Sequence, residues 1–136
     1  MSSKFDAEAF VRALYDATGS ADWERAETML TDDFFVTEAD LMPFAGIYRG
    51  RDALRELYTK VMGMMDVTGL DLQVITVSDD HAVALLDMLL AGPPETRVPI
   101  AEMFRFRDGR CCEIRPYYFD PQPVIAAAER KARATA

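Results

Sequence analysis

The segment from 98 to 121 constrains the fold of this chain more than any other, and its sequence is VPIAEMFRFRDGRCCEIRPYYFDP. Asp108 and Gly109 divide it into two alternating arms, a pattern that predicts two antiparallel strands joined by a tight turn. Because successive side chains on a strand point to opposite faces, the even-numbered positions share one face. Two carboxylates, Glu102 and Asp120, lie on this face. Its other members are mostly apolar: Ile100, Phe104, Phe106, Cys112, Ile114, Pro116 and Tyr118.

The order of the remaining elements predicts one α+β domain, 1–136. Apolar residues at helical spacing and alternating β-prone runs define these elements. They are helices at 4–17, 23–30 and 51–65, a short strand at 34–38, an irregular loop at 39–48, strands at 68–77 and 81–91, the hairpin, and a short, partly frayed helical tail at 121–136. Helices first and strands later favour helices packed on one face of a curved antiparallel sheet.

Charge and composition argue against several classes of function. The formal net charge of −8 disfavours nucleic acid and anionic membrane surfaces, since both attract basic patches. No apolar run approaches the roughly 20 residues of a transmembrane helix, and residues 1–10 lack the apolar stretch of a signal peptide, so a cytoplasmic protein is expected. Cys111 and Cys112 are expected to be reduced packing residues. His81 in a solvated turn disfavours a histidine-based metal site.

Each acid on the apolar face has a functional and a structural interpretation. A carboxyl group in an apolar pocket resists ionisation, so it can donate a proton near neutral pH. Alternatively, Glu102 lies at an open rim and pairs with a neighbouring arginine, and Asp120, which precedes Pro121, caps the turn at the strand end. The charged residues of the odd-numbered face are expected to pair across the strands. They are Arg105, Arg107, Glu113 and Arg115.

Several motifs, taken in order, resemble the nuclear-transport-factor-2-like superfamily. They are Ala21-Asp22-Trp23, Gly46-Ile47-Tyr48-Arg49-Gly50-Arg51, Phe104-Arg105-Phe106 with Gly109, and Tyr117-Tyr118-Phe119-Asp120. Within this superfamily the chain is most similar to the SnoaL-like polyketide cyclases and the ketosteroid isomerases, from Phe10 to Asp120. The resemblance implies a cone-shaped, cystatin-like fold, in which a curved antiparallel sheet wraps around the N-terminal helices and leaves a deep apolar cavity.

The resemblance also implies roles for individual residues. The protonated acid of the ketosteroid isomerases matches Glu102, and their base lies near Glu38 or Asp40. Their oxyanion tyrosine matches Leu14 and not Tyr15, so the chain is expected to lack that donor, which disfavours steroid isomerisation. The acid/base aspartate of the SnoaL-like cyclases matches Asp120, and neither chemistry requires a metal or an organic cofactor. The side chains expected to contact substrate are Leu14, Phe44, Tyr58, Met62, Leu86, Met88, Phe104, Ile114 and Tyr118.

Three kinds of function remain open from the sequence. The first is a cofactor-independent isomerase, cyclase or hydrolase that acts on a small, mostly apolar molecule. The second is a non-catalytic binder of such a molecule, and the third is a protein-interaction module. In this superfamily the outer face of the sheet commonly forms a homodimer. The resemblance therefore implies a dimer contact centred on Met103, Tyr117 and Phe119.

Overall fold

The computed structural model describes residues 5–92 and 94–135, so the predicted domain bounds of 1–136 extend slightly beyond it. The described residues form four helices and six strands. In chain order these are α1 (Ala7–Gly19), α2 (Trp23–Thr28), β1 (Leu30–Glu38), β2 (Gly46–Arg49), α3 (Ala53–Met64), β3 (Val67–Ser78), β4 (His81–Leu90), β5 (Thr96–Arg107), β6 (Arg110–Tyr118) and α4 (Gln122–Ala134).

The six strands form one curved sheet in the order β2-β1-β6-β5-β4-β3. The predicted α+β class and the four-stranded meander from β3 to β6 are confirmed. One pairing differs from the predicted antiparallel sheet, because β1 lies parallel to β6. The meander is extended on one side by the β1–β2 hairpin, and this places residues from the N-terminal third of the chain beside the last strand.

The first strand begins earlier and the second helix ends earlier than predicted. Periodicity extends the helix to Leu30, but α2 ends at Thr28 and Leu30 is already in β1. Here the backbone N–H of Cys111 donates to the carbonyl of Met29 at 2.9 Å, so pairing with β6 overrides the helical pattern. The predicted loop at 39–48 is also partly wrong. It ends in strand β2, which pairs with β1 from Gly46↔Glu38 to Arg49↔Phe35.

A bulge in β6 changes which cysteine faces the core. Phe104 pairs with Ile114, whereas Phe106 pairs with Cys111, so Cys112 is an extra residue in the ladder. Cys111 therefore takes the core position that strict alternation assigned to Cys112, although both side chains are buried. The predicted turn is confirmed. Asp108 has φ +53° and Gly109 has φ +76°, as a tight two-residue hairpin turn requires.

The predicted C-terminal helix is present, and it packs against the rest of the domain instead of forming a frayed tail. Helix α4 has 13 residues, and Val124 and Ala127 on one side of it are buried in the core. Lys131 Nζ donates to the carbonyl of Met62 at 3.2 Å and to Asp66 Oδ1 at 3.0 Å. These contacts attach α4 to the end of α3. None of the helices in the described part of the chain is long and apolar enough to cross a bilayer.

Candidate functional site

A cavity of about 700 Å³ lies between the helices and the inner face of the sheet. Its walls come from α1, α2, α3, the loop before β2 and strands β1, β3, β4, β5 and β6. The structure places on these walls all nine side chains expected to contact substrate, which are Leu14, Phe44, Tyr58, Met62, Leu86, Met88, Phe104, Ile114 and Tyr118. Their contact with a ligand stays a prediction.

Glu102 on β5 faces this cavity and is bonded by a tyrosine from the first helix. Tyr15 Oη donates to Glu102 Oε1 at 2.5 Å. The sequence comparison assigned this helix position to Leu14 and expected no donor. That expectation is wrong, because Leu14 and Tyr15 both line the cavity. Helical spacing gives the signal that would have found the donor, since Tyr15 follows the buried Val11 by four residues and shares its side of α1.

Burial raises the pKa of both members of this pair. The half-buried Glu102 has a raised pKa, because desolvation penalises its carboxylate, and the hydrogen bond from Tyr15 opposes that effect. Desolvation and the nearby Glu102 likewise raise the pKa of Tyr15. The Tyr15 hydroxyl therefore remains a hydrogen-bond donor at all physiological pH values.

Glu38, the last residue of β1, brings a second carboxyl group into the cavity. It is only 4% exposed, and its Oε1 has no hydrogen-bond partner among the residues that the structure describes. Desolvation, and then the charge of Glu102, raise the pKa of Glu38 to about 8, while the Tyr118 hydroxyl acts in the opposite direction. Burial beside these acids also raises the pKa of Tyr118, which keeps that hydroxyl protonated.

The two acids extend from strands on either side of β6. Glu102 is the register partner of Pro116, and the parallel pairing of Val36 with Ile114 brings Glu38 level with the same proline. Because neighbouring strands are about 4.8 Å apart, the Cα atoms of the two acids are separated by roughly 10 Å. The β1–β6 ladder ends at Val36 and Ile114, and Pro116 has no N–H with which to extend it.

The other two candidate catalytic residues lie outside the cavity. Asp40 is exposed in the loop that follows β1. Asp120 is also exposed, and its Oδ1 accepts a hydrogen bond from the backbone N–H of Gln122 at 3.0 Å. Strand alternation predicted that Asp120 lies on the inner face, but β6 ends at Tyr118, so the alternation of faces does not apply to Asp120. The structural interpretation of Asp120, a cap at the strand end, is the one that the geometry supports.

Aromatic and charged side chains surround the mouth of the cavity. Trp23 and Tyr58 pack edge to face with their ring centroids 5.3 Å apart, and Met62 lies one turn beyond Tyr58 on α3. Arg12 and Asp16 on α1 are exposed lining residues. Because most of the side chains that line the cavity are apolar or aromatic, the site suits a mostly apolar molecule.

The outer face of the sheet has its own organisation. Glu113 is 4% exposed and accepts from Arg105 at 2.8 Å and from Arg115 at 2.7 Å, which confirms the predicted pairing of Glu113 with arginines on this face. An apolar row crosses four adjacent strands beside this cluster. The register places its members side by side, and they are Val74, Leu85, Ala101 and Tyr117.

Two neutral hydroxyl donors and two carboxyl groups of raised pKa are thus brought together in one apolar cavity. At neutral pH a carboxyl whose pKa is about 8 is mostly protonated, and its ionised fraction is a stronger base than an ordinary glutamate. The arrangement can donate hydrogen bonds to a carbonyl oxygen and accept a proton from a nearby carbon. Among the described residues, no group of three or more histidine, cysteine, aspartate or glutamate side chains is placed to hold a metal ion.

Solved structures with the same fold share little sequence with this chain. Bal32a, from a soil-derived mobile gene cassette, is 20% identical over 85% of this chain and 90% of its own, with a TM-score of 0.75. A protein of ketosteroid-isomerase-like fold from Catenulispora acidiphila, in complex with trimethylamine, is 17% identical over 88% and 92%, with a TM-score of 0.69. A putative SnoaL-like polyketide cyclase from Mesorhizobium loti is 18% identical over 83% and 99%, with a TM-score of 0.64.

The family assignment comes from the sequence itself. No curated protein sequence matches the chain, but the family model described as SnoaL-like domain matches residues 11–114. This span runs from within α1 through β5 to the middle of β6, and therefore contains Tyr15, Glu38 and Glu102. The chain belongs to the SnoaL-like domain family, within the nuclear-transport-factor-2-like fold.

Proposed function

We propose that this chain is a cofactor-independent enzyme that transfers a proton on a small, mostly apolar carbonyl compound, as an isomerase or a cyclase. The observation that supports this most is the Tyr15–Glu102 hydrogen bond of 2.5 Å in a cavity that also contains Glu38. The cavity thus combines a carboxyl group held by a tyrosine, as the donor, with a second carboxyl group, as the base. The trimethylamine bound by the Catenulispora acidiphila protein supports small-molecule binding in this fold.

The proposed step uses the two acids in different protonation states. Ionised Glu38 removes a proton from the carbon next to the carbonyl, and the electron pair of the broken C–H bond forms an enolate. Protonated Glu102 donates a hydrogen bond to the enolate oxygen, where negative charge develops, and Tyr15 holds Glu102 by donating to its Oε1. Glu38 then returns the proton to another carbon, which is isomerisation. Alternatively, the enolate carbon attacks a second carbonyl, whose oxygen becomes an alkoxide and takes the proton from Glu38, which is aldol-type cyclisation.

This division of roles follows from the two environments. Tyr15 bonds Glu102, so the pair forms a preorganised donor site. Glu38 has a carboxylate oxygen that no described residue occupies and is free to accept a proton. Because the pKa of Glu38 is about 8, the rate should rise with pH and level off above pH 8.

Exchange of the α-protons of 2-tetralone in D₂O, followed by NMR, tests the proposal without knowledge of the natural substrate. Wild-type protein should accelerate the exchange. Glu38→Gln, which removes the base, should lower the accelerated rate about 10²- to 10⁴-fold, and Glu102→Gln should also reduce it. Asp40→Asn is the matched control, since Asp40 is exposed and should leave the rate unchanged.

Two results would distinguish this enzyme from a non-catalytic binder. If 2-tetralone binds but its exchange rate equals that of buffer, the cavity is a binding site and the catalytic proposal fails. If exchange is fast but insensitive to both glutamine variants, the base is another group. Loss of activity in the glutamine variants is interpretable only when their circular dichroism spectra and thermal midpoints show a folded protein.

We also propose that the outer sheet face forms a homodimer. The apolar row contains Leu85 and Tyr117, which are 43% and 52% exposed, and it lies beside the Arg105–Glu113–Arg115 cluster. An exposed apolar strip flanked by charge of both signs suits a second copy of the same face. Sedimentation equilibrium should give twice the chain mass, and Leu85→Glu should give the monomer mass. A wild-type monomer at 100 μM would contradict the proposal.

A further inference from the structure

The carboxyl groups in the cavity lack a cationic partner. Arg12 is the only basic side chain among the described residues that line it. Arg12 lies at the exposed mouth, where it bonds Glu8 at 3.3 Å. Glu38 is 4% exposed and its Oε1 is unpartnered among the described residues. Buried carboxylates in proteins are normally paired, so this oxygen points to a ligand that supplies a hydrogen-bond donor and positive charge.

The walls of the cavity suit a cation as well as an apolar body. Six aromatic side chains line it, and they are Tyr15, Trp23, Phe44, Tyr58, Phe104 and Tyr118. Several of them pack edge to face with a neighbouring ring. Aromatic faces attract ammonium groups, and the attraction is larger where water is excluded.

We infer that this cavity binds an apolar amine in its protonated form, with the ammonium group donating to Glu38 Oε1 and the hydrocarbon part against the aromatic walls. The inference goes beyond the proposed function, because it names a ligand class that the cavity holds whether or not the protein catalyses proton transfer. In an enzyme, such an amine would occupy the base and act as a competitive inhibitor.

Binding of an ammonium ion should release the proton of Glu38. The titratable groups that act on Glu38 are Glu102 from β5 and Tyr118 from β6. Tyr15 from α1 bonds Glu102, and none of these groups is a cation. Without a ligand Glu38 is mostly protonated at pH 7, because its pKa is about 8. An ammonium group beside it stabilises the carboxylate, so close to one proton should leave the protein for each amine bound.

Isothermal titration calorimetry with three probes of one skeleton tests the inference. The probes are 3-phenylpropylamine, 3-phenylpropan-1-ol and 3-phenylpropanoate, which present an ammonium, a hydroxyl and a carboxylate. The amine should bind at least tenfold more tightly than the alcohol, as expected for a charge-assisted hydrogen bond, and the carboxylate should bind most weakly. Repeating the amine titration at pH 7 in buffers of different ionisation enthalpy measures the released proton.

Matched variants identify the group responsible. Glu38→Gln should weaken the amine about tenfold and change the alcohol less than threefold, whereas Asp40→Asn should change neither. The inference is overturned if the alcohol binds as tightly as the amine, if Glu38→Gln leaves the amine affinity unchanged, or if the wild-type protein releases no proton. Proton release is measured on the wild-type protein alone, so this test remains valid even if Glu38→Gln does not fold.

The outcome is separable from that of the proposed function. Amine binding without accelerated exchange of 2-tetralone would support the ligand class and reject the enzyme. Accelerated exchange of 2-tetralone without a preference for the amine would support the enzyme and reject the ligand class.

Discussion

Glu38→Gln should make the stability of this protein less dependent on pH. In the folded chain the pKa of Glu38 is raised from 4.5 to about 8, chiefly by desolvation, whereas in the unfolded chain it returns to its ordinary value. The folded state therefore holds this proton more tightly. The contribution of Glu38 to the free energy of unfolding is fully present below pH 4.5 and is lost as the pH rises through about 8.

The size of the effect follows from the same shift. A change in pKa from 4.5 to about 8 corresponds to about 5 kcal/mol between the two plateaus, or about 1.4 kcal/mol for each pH unit between them. The full value applies because the side chain is only 4% exposed. Glu102, whose pKa is also raised, acts in the same direction, so the variant should reduce the slope and not abolish it.

Urea denaturation at half-unit steps from pH 5 to pH 9.5 measures this. Glu38→Gln and wild type should have free energies of unfolding within about 1 kcal/mol at pH 5, since amide and protonated acid are alike in shape. Above pH 8 the variant should be the more stable by several kcal/mol. Asp40→Asn, at an exposed position, is the control and should follow the wild-type curve. A constant difference between Glu38→Gln and wild type across this range would refute the reasoning.

Two further predictions concern a hydrogen bond and a helix. Tyr15→Phe should raise the pKa of Glu102 further, because the Tyr15 hydroxyl stabilises its carboxylate; carboxyl ¹³C NMR titration measures this, and an unchanged or lower value would contradict it. Val124→Ala should lower the free energy of unfolding by about 2 kcal/mol, because Val124 is completely buried. The exposed Ala132→Gly in α4 should cost at most about 1 kcal/mol, and equal effects of the two variants would show that α4 does not pack as described.

Alternation and helical periodicity predicted most of the fold, and tertiary contacts decided the rest. The β3–β6 meander could be predicted because turn residues and period-two patterns are local signals. The parallel β1–β6 pairing could not, since it joins segments about 80 residues apart. The bulge at Cys112 is also invisible in the pattern, because one extra residue leaves the alternation on either side of it intact. Helix α4 is ordered by burial of Val124 and not by its own capping signals.

The wall of the site was easier to predict than its chemistry. Apolar positions on the inner faces of strands and helices line the cavity, and their faces follow from periodicity alone. The predicted strand 34–38 ends at Glu38, as β1 does, but the pattern does not show that Glu38 is buried in the cavity and Asp40 exposed. Tyr15 was missed because the family comparison placed the donor at Leu14, although the spacing of Tyr15 from Val11 favours the same side of α1.

Burial of a carboxyl group does not by itself indicate a functional site, and this sheet contains the comparison that shows why. Glu38 and Glu113 are each 4% exposed, and both lie on strands. Glu113 has two arginine partners within 3 Å on the outer face, so its charge is compensated within the protein and its role is structural. Glu38 has an unpartnered oxygen among the described residues and a second acid nearby. The two glutamates differ in whether a cationic side chain of the protein neutralises the carboxylate, and only the three-dimensional arrangement reveals this. At Glu38 a proton from the substrate or a cationic ligand would take the place of the arginines that bind Glu113.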